Sequence, residues 1–227
     1  MTLEEIGGLA IRVYFVLEVA AAVLVITWWR QLGRTGRLAG MWIVAAAGVG
    51  LAGLVAAKWV HNSQYITFFW YPISGWFAFR ALASVHGEGR VKRAIEGYAV
   101  VFALLWLVFA LTIETFGQYS LVNSPLHALS LAVLAAFTLV TRVGSAETEL
   151  MLDTGFVLSA AWLIYAVPTV FLTLPTRTWL AQEKYEQIML YFTFRNIVAI
   201  GAYILLLRGI GLARSGQPTA AMREFTP

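Results

Sequence analysis

Two ionisable residues lie where hydrocarbon should surround them. Glu18 sits midway along an apolar run near the N-terminus. Arg195, followed by Asn196, sits near the middle of the last such run, Gln187 to Leu207 (QIMLYFTFRNIVAIGAYILLL). An arginine at mid-depth in a bilayer costs about 2.5–3.5 kcal/mol on insertion scales, so it must face protein or water. At 1.5 Å per residue, Glu18 lies about 15 Å and Arg195 about 12 Å below the same end of their runs. Those depths match. If the first and last helices are neighbours, Glu18, Arg195 and Asn196 form a buried, charge-assisted group. One chemistry for such a group is a binding or coupling site for an ion, a proton or a polar headgroup. The other is a clamp that fixes helix register, each charge present because of its partner.

A second set of polar residues gathers toward the same end: Arg12, Tyr14, Lys58, His61, Glu114, His127 and Tyr191, with Asn62, Gln118 and Asn123 in adjoining loops. Trp59, Tyr65, Phe68, Phe69, Trp70, Tyr71, Tyr119, Phe192 and Phe194 share that level. An outward-facing pocket with an apolar wall and a few convergent polar groups has this composition. An interfacial belt accounts for Trp59, Trp70, Trp179 and most of the tyrosines without any ligand. Glu114 and His127, at the hydrocarbon edge, read as a pair across neighbouring helices. Arg80 lies one turn from a helix end and reaches the headgroups. Glu96 reads as a carboxylate at a helix start.

Other chemistries lack their residues. A retinal-type Schiff base needs a lysine inside the last helix, and residues 187–207 hold none. A three-histidine zinc site needs its ligands together, whereas His86 falls at the opposite end from His61 and His127. Those two are the pair available to a bis-histidine haem, the weakest of these alternatives. No phosphate loop, HExxH or nucleophile elbow is present, so no catalytic residue, metal ligand or cofactor is assigned. Cysteine is absent, which removes disulfides and thiolate chemistry.

The elements that must position these residues are membrane helices. Of the 227 residues, 60% are hydrophobic and 12% charged, about half the charged share of a soluble domain. The mean hydropathy is +0.75. Seven runs reach the length of about 17–25 residues that crosses a bilayer. They lie near 8–29, 40–60, 64–84, 95–115, 122–143, 154–174 and 187–207, followed by a polar, flexible tail over 209–227. With the N-terminus outside, the inner segments carry Arg30, Arg34, Arg37, Arg90, Lys92, Arg93, Arg142, Arg208, Arg214 and Arg223. The outer segments carry Lys58, Arg177 and Lys184. Ten basic residues against three place the N-terminus outside and the C-terminus inside, which requires an odd number of crossings. The acidic residues Glu147, Glu149 and Asp153 on the inner side weigh little in that rule. The expected fold is an all-α polytopic bundle of seven transmembrane helices, kinked or opened at Pro72 and Pro168, with Pro125 in a first helical turn. The acidic start, MTLEEIGG, is unlike a signal peptide, so the first helix is expected to remain in the mature chain. The net charge of +4 is dispersed beside apolar runs and suggests no nucleic-acid partner.

The stretches YFVLEVAAAVL (Tyr14 to Leu24) and HNSQYITFFWYPI (His61 to Ile73) resemble uncharacterised bacterial seven-helix membrane proteins. In these a glutamate sits mid-helix 1 and an Asn-containing loop leads into an aromatic third helix. The resemblance covers the first third of the chain. It implies a seven-helix bundle in a bacterial cytoplasmic membrane and importance for Glu18 and Asn62, and it carries no activity. Function then divides between two classes. The first binds a small molecule in the outward-facing pocket, as a sensor or a transporter. The second is an accessory subunit of a larger membrane complex handling pigments, quinones or lipids. An enzyme acting on lipid or prenyl substrates through Glu18, Glu114 or His127 ranks third. In every case the lipid bilayer is a partner, with other membrane subunits or a small ligand added.

Overall fold

A computed structural model describes residues 3–114, 119–120, 122–145 and 149–214, and among them every regular element is helical. Seven long helices follow one another: α1 (Leu3–Trp28), α2 (Arg34–Trp59), α3 (Gln64–Val85), α4 (Arg90–Thr112), α5 (Asn123–Ser145), α6 (Thr154–Ala181) and α7 (Tyr185–Arg214). The shortest has 22 residues and the longest 30, about 33 to 45 Å at 1.5 Å per residue. Six of them are long and apolar enough to cross a membrane. The chain is thus an integral membrane protein by the character of its helices.

The helix at the expected third position is the exception. α3, which carries Trp70, Tyr71, Pro72, Ser74, Gly75, Trp76 and Arg80, is not among those six. Its position explains the composition. α3 packs against α2, α4, α5 and α6, so much of its surface meets protein rather than lipid.

Several helices run beyond the apolar stretches. α1, α2 and α4 begin about a turn before residues 8, 40 and 95, while α6 and α7 extend well past 174 and 207. The added turns contain Arg34, Arg37, Arg90, Lys92, Arg93, Arg208 and Arg214. Hydropathy excludes such residues from a span, yet arginine and lysine are good helix formers. Residues 209–214 of the expected tail are therefore helical. Residues 215–227 lie outside the described residues, as do Gln118 and Glu147.

The helices form two rows. One runs α2–α3–α4 and the other α1–α7–α6–α5; α1 and α7 pack on α2, and α6 and α5 pack on α3. α1 and α7 are neighbours, which was the condition for bringing Glu18 toward the last helix. Small residues set the spacing: Ala39, Ala46, Ala47, Ala78, Ala81, Ala161 and Ala202 are all buried, and small side chains let helix backbones approach closely. At Gly75 the approach is close. A Cβ there would stand 2.8 Å from Cε1 of Phe102 on α4.

α3 continues through Pro72, and α6 through Pro168 and Pro175. Each proline removes one backbone N–H and frees a carbonyl one turn earlier. α6 is anchored at its start by Asp153, whose Oδ1 accepts from Phe156 N at 2.6 Å, the side-chain cap that a helix N-terminus needs. Buried Arg142 of α5 stands 3.8 Å from the other oxygen of Asp153. Glu96 is already in the second turn of α4 and accepts from Arg34 of α2 at 3.0 Å. It is thus a cross-link between helices rather than a first-turn carboxylate. Arg80 lies over the Trp76 ring at 5.0 Å.

Candidate functional site

Glu18 is buried between α1, α2 and α7, with 5% exposure. Its Oε1 accepts hydrogen bonds from Tyr203 on α7 at 2.7 Å and from Tyr14, one turn earlier on α1, at 3.2 Å. On the far side a Cβ at Gly50 of α2 would stand 3.0 Å from Oε2. Gly50 thus brings the α2 backbone close to the carboxylate.

Arg195 enters the bundle from α7. Its Nη2 donates to the Tyr165 hydroxyl of α6 at 2.9 Å, and its Nη1 to Oδ1 of Asn196 at 3.2 Å. The guanidinium also lies over two ring faces, Tyr165 at 5.2 Å and Tyr14 at 5.7 Å, a cation–π arrangement. Glu18 and Arg195 make no direct ion pair among the described residues. Tyr14 joins them, its ring under the cation and its hydroxyl on the acid. The separation has a geometric cause. Glu18 is level with Tyr203, eight residues beyond Arg195 on α7, and that is about 12 Å along a helix. The equal depths expected for the two charges assumed helix starts that the structure shifts.

Beside Arg195 lies a cavity of about 240 Å³. α3 lines it with Gln64, Thr67, Trp70 and Tyr71, and α5 with Ser124, His127, Ala128 and Leu131. α6 contributes Tyr165, Ala166, Thr169, Leu172 and Thr173; α7 contributes Phe192 and Arg195; and Tyr119 closes it from the α4–α5 connection. Pro72 and Pro168 sit beside the lining of α3 and α6. The cavity belongs to the end of the bundle where α1, α3, α5 and α7 begin. Its wall is chiefly aromatic and aliphatic, with hydroxyls spaced over it and one cation. Arg195 is partly exposed although it lies more than two turns inside α7; its exposure is to this cavity.

Comparison with known proteins finds no matching family model, no matching curated protein and no matching solved structure. The site must be read from its own geometry.

Of the residues expected to form the pocket, His127 lines it. Its Nε2 is 2.9 Å from Ser74 Oγ, and the same Oγ accepts from Trp42 Nε1 at 2.6 Å. This buried chain links α5, α3 and α2 behind the cavity. Tyr14 lies just behind the wall, against Arg195. Glu114 does not pair with His127. Its Oε1 accepts from Ser120 Oγ, Val122 N and Asn123 N at 2.7, 2.7 and 2.9 Å, and its Oε2 from Asn123 Nδ2 at 2.8 Å. Glu114 therefore organises the α4–α5 connection and the start of α5.

Arg12, Lys58, His61 and Tyr191 are exposed and do not line the cavity. His61 occupies the left-handed region, with φ 56°, in the α2–α3 turn. Tyr191 packs on Trp179 with ring centroids 4.8 Å apart. Asn62 caps the entry to α3, its Oδ1 accepting from Gln64 N at 2.9 Å. The aromatics divide between the two readings. Trp70, Tyr71, Tyr119 and Phe192 face the cavity, whereas Trp59, Phe69 and Phe194 are exposed on the outside of the bundle.

The residues that sequence reasoning missed include Tyr165, Thr169, Thr173 and Tyr203. A signal existed for three of them: positions 165, 169, 172, 173 and 176 fall on one face of α6 at helical spacing. At the opposite end, just after α3, His86 Nε2 is 3.2 Å from Thr138 Oγ1. Burial lowers the pKa of His86 from its ordinary value, and the nearby Arg142 lowers it further.

Proposed function

We propose that this chain is a seven-span membrane protein, N-terminus outside and C-terminus inside, that binds a small molecule in the cavity beside Arg195, as a sensor or a transporter. The observation that carries the reading is the placement of a mid-helix guanidinium in the wall of an aromatic-lined cavity. Such concave, mostly apolar sites with few convergent polar groups are where small molecules bind. The basic residues clustered at the other end of the bundle support an outward opening, since that end is the inner one by the positive-inside rule. α3 then crosses as the seventh span, shielded from lipid by its four neighbours. A bacterial cytoplasmic membrane is the setting this reading takes. A sensor needs a partner on the inner face; a transporter needs the Arg195 level to become reachable from inside in turn.

The absence of cysteine makes the test direct. Single cysteines replace His61, Thr169 and Arg90 in the full chain, and intact cells are treated with a membrane-impermeant maleimide. His61→Cys and Thr169→Cys react from outside, and Arg90→Cys reacts only after permeabilisation. Reaction of Arg90→Cys alone in intact cells would reverse the orientation. In parallel, a screen of small fragments by thermal shift finds binders that Thr169→Phe, which fills the cavity, no longer binds. Binders unaffected by Thr169→Phe would remove the cavity from the reading.

A further inference from the structure

We infer that the cavity takes a small monocarboxylate with an apolar body, its carboxylate held by Arg195. This rests on the cavity being the ligand site. At about 30 Å³ per water, 240 Å³ is room for about eight waters, or for a ligand on the order of ten non-hydrogen atoms. A molecule of that size offers one polar group and a short body.

The polar group is fixed by Arg195. Among the described residues, the groups touching its guanidinium are neutral: a phenol oxygen, an amide oxygen and two ring faces. Two of its five N–H groups donate to protein, which leaves three for a ligand. Glu18, the nearest acid that addresses it, spends its Oε1 on Tyr203 and Tyr14 and stands beyond the Tyr14 ring. A guanidinium presents a planar fork that matches a carboxylate's two oxygens. A single cation suits a singly charged anion rather than a phosphate dianion, for which clustered basic residues are the usual partners. Among the described residues no other charged side chain lines the cavity, and uncharged Thr169 and Thr173 stand on the α6 wall. The body of the ligand meets Trp70, Leu131, Leu172 and Phe192, which provide apolar contact and no further charge.

The measurement is calorimetric titration of the full chain in mild detergent with benzoate, octanoate, benzamide, benzylamine and phenyl phosphate. Benzoate or octanoate is expected to bind at least about tenfold more tightly than benzamide, the neutral isostere, because a charge-assisted bond is at stake. Benzylamine should not bind. Octanoate exceeding benzoate supports the inference with an acyl chain as the body; the reverse supports it with a ring. Arg195→Gln should lower benzoate affinity by roughly ten- to a hundredfold and leave benzamide unchanged. The comparison of benzoate with benzamide needs no variant, so it stands if Arg195→Gln does not fold. Thr169→Phe keeps Arg195 and should abolish binding of both. Benzamide binding as tightly as benzoate, or phenyl phosphate binding more tightly, overturns the carboxylate assignment while leaving the cavity as the site. Failure of all five compounds, together with failure of the neutral fragment screen, overturns the ligand-site reading itself.

Discussion

Replacing Tyr203 by Phe removes one hydroxyl and changes little else. Tyr203 is fully buried, and its ring packs on Trp42 at 5.7 Å and on Tyr14 at 5.4 Å between centroids; a phenyl ring preserves both contacts. What is lost is the 2.7 Å bond to Glu18. Hydrogen bonds between membrane helices average about 0.6 kcal/mol, because the unfolded chain in the bilayer also finds partners. A bond to an ionised acceptor is worth about 1.5–3 kcal/mol. Two phenols converging on one oxygen is the pattern of an accepting carboxylate, so the loss is expected at about 1.5 kcal/mol, roughly tenfold in the unfolding constant. Reversible unfolding in mixed micelles measures it. The same substitution in a Glu18→Gln background should cost only about 0.6 kcal/mol, since the charge that strengthened the bond has gone. Tyr14→Phe, which loses the longer and intrahelical bond, should cost less than Tyr203→Phe. If Tyr203→Phe costs the same in both backgrounds, the two residues are not coupled, and the tyrosine-mediated account of this pair is wrong.

Two further predictions concern residues outside the cavity. Glu114→Gln must place an amide nitrogen either against the Asn123 side-chain amide or against the donors of Ser120, Val122 and the Asn123 backbone. The thermal midpoint should fall, equivalent to about 1–3 kcal/mol, and an unchanged midpoint would argue against its role in the α4–α5 connection. His86 is held neutral: burial, then Arg142, lowers its pKa from 6.5. Below 6.5 the unfolded chain therefore takes up the proton first, so stability is full above that pH and declines as pH falls through the lowered folded value. Melting curves from pH 7.5 to 5 should show that decline, and His86→Gln should flatten it; an equal decline in the variant would assign it to other groups.

Membrane class was legible because it depends on length and mean hydropathy, and the described residues form long helices, six of them long and apolar enough to cross a membrane. The ends were less legible. An arginine such as Arg34 or Arg208 marks the limit of hydrocarbon and says little about where the helix stops. α3 shows the same limit from the other side, since its Trp, Tyr, Ser and Gly content reflects protein neighbours that no single-helix average contains. Glu114 was misassigned because its partners are Ser120, Val122 and Asn123 in its own connection, and a loop's hydrogen bonds leave no periodic trace.

The charged pair was the most visible feature of the sequence and the least complete guide to the site. Charge announces itself in an apolar run, so Glu18 and Arg195 could be found at once. Two of their partners, Tyr165 and Tyr203, could not, because a tyrosine inside an apolar helix carries no mark of the charge it meets. Yet Tyr14, Tyr165 and Tyr203 do what neither charge could do directly. Each offers a hydroxyl to a charged group at one end and a ring to the apolar core at the other. That division leaves the acid and the base each contacted by neutral groups, with no direct ion pair between them among the described residues. A direct Glu18–Arg195 salt bridge would have consumed the donors that the carboxylate proposal requires. The carboxylate proposal therefore depends on these three tyrosines as much as on Arg195.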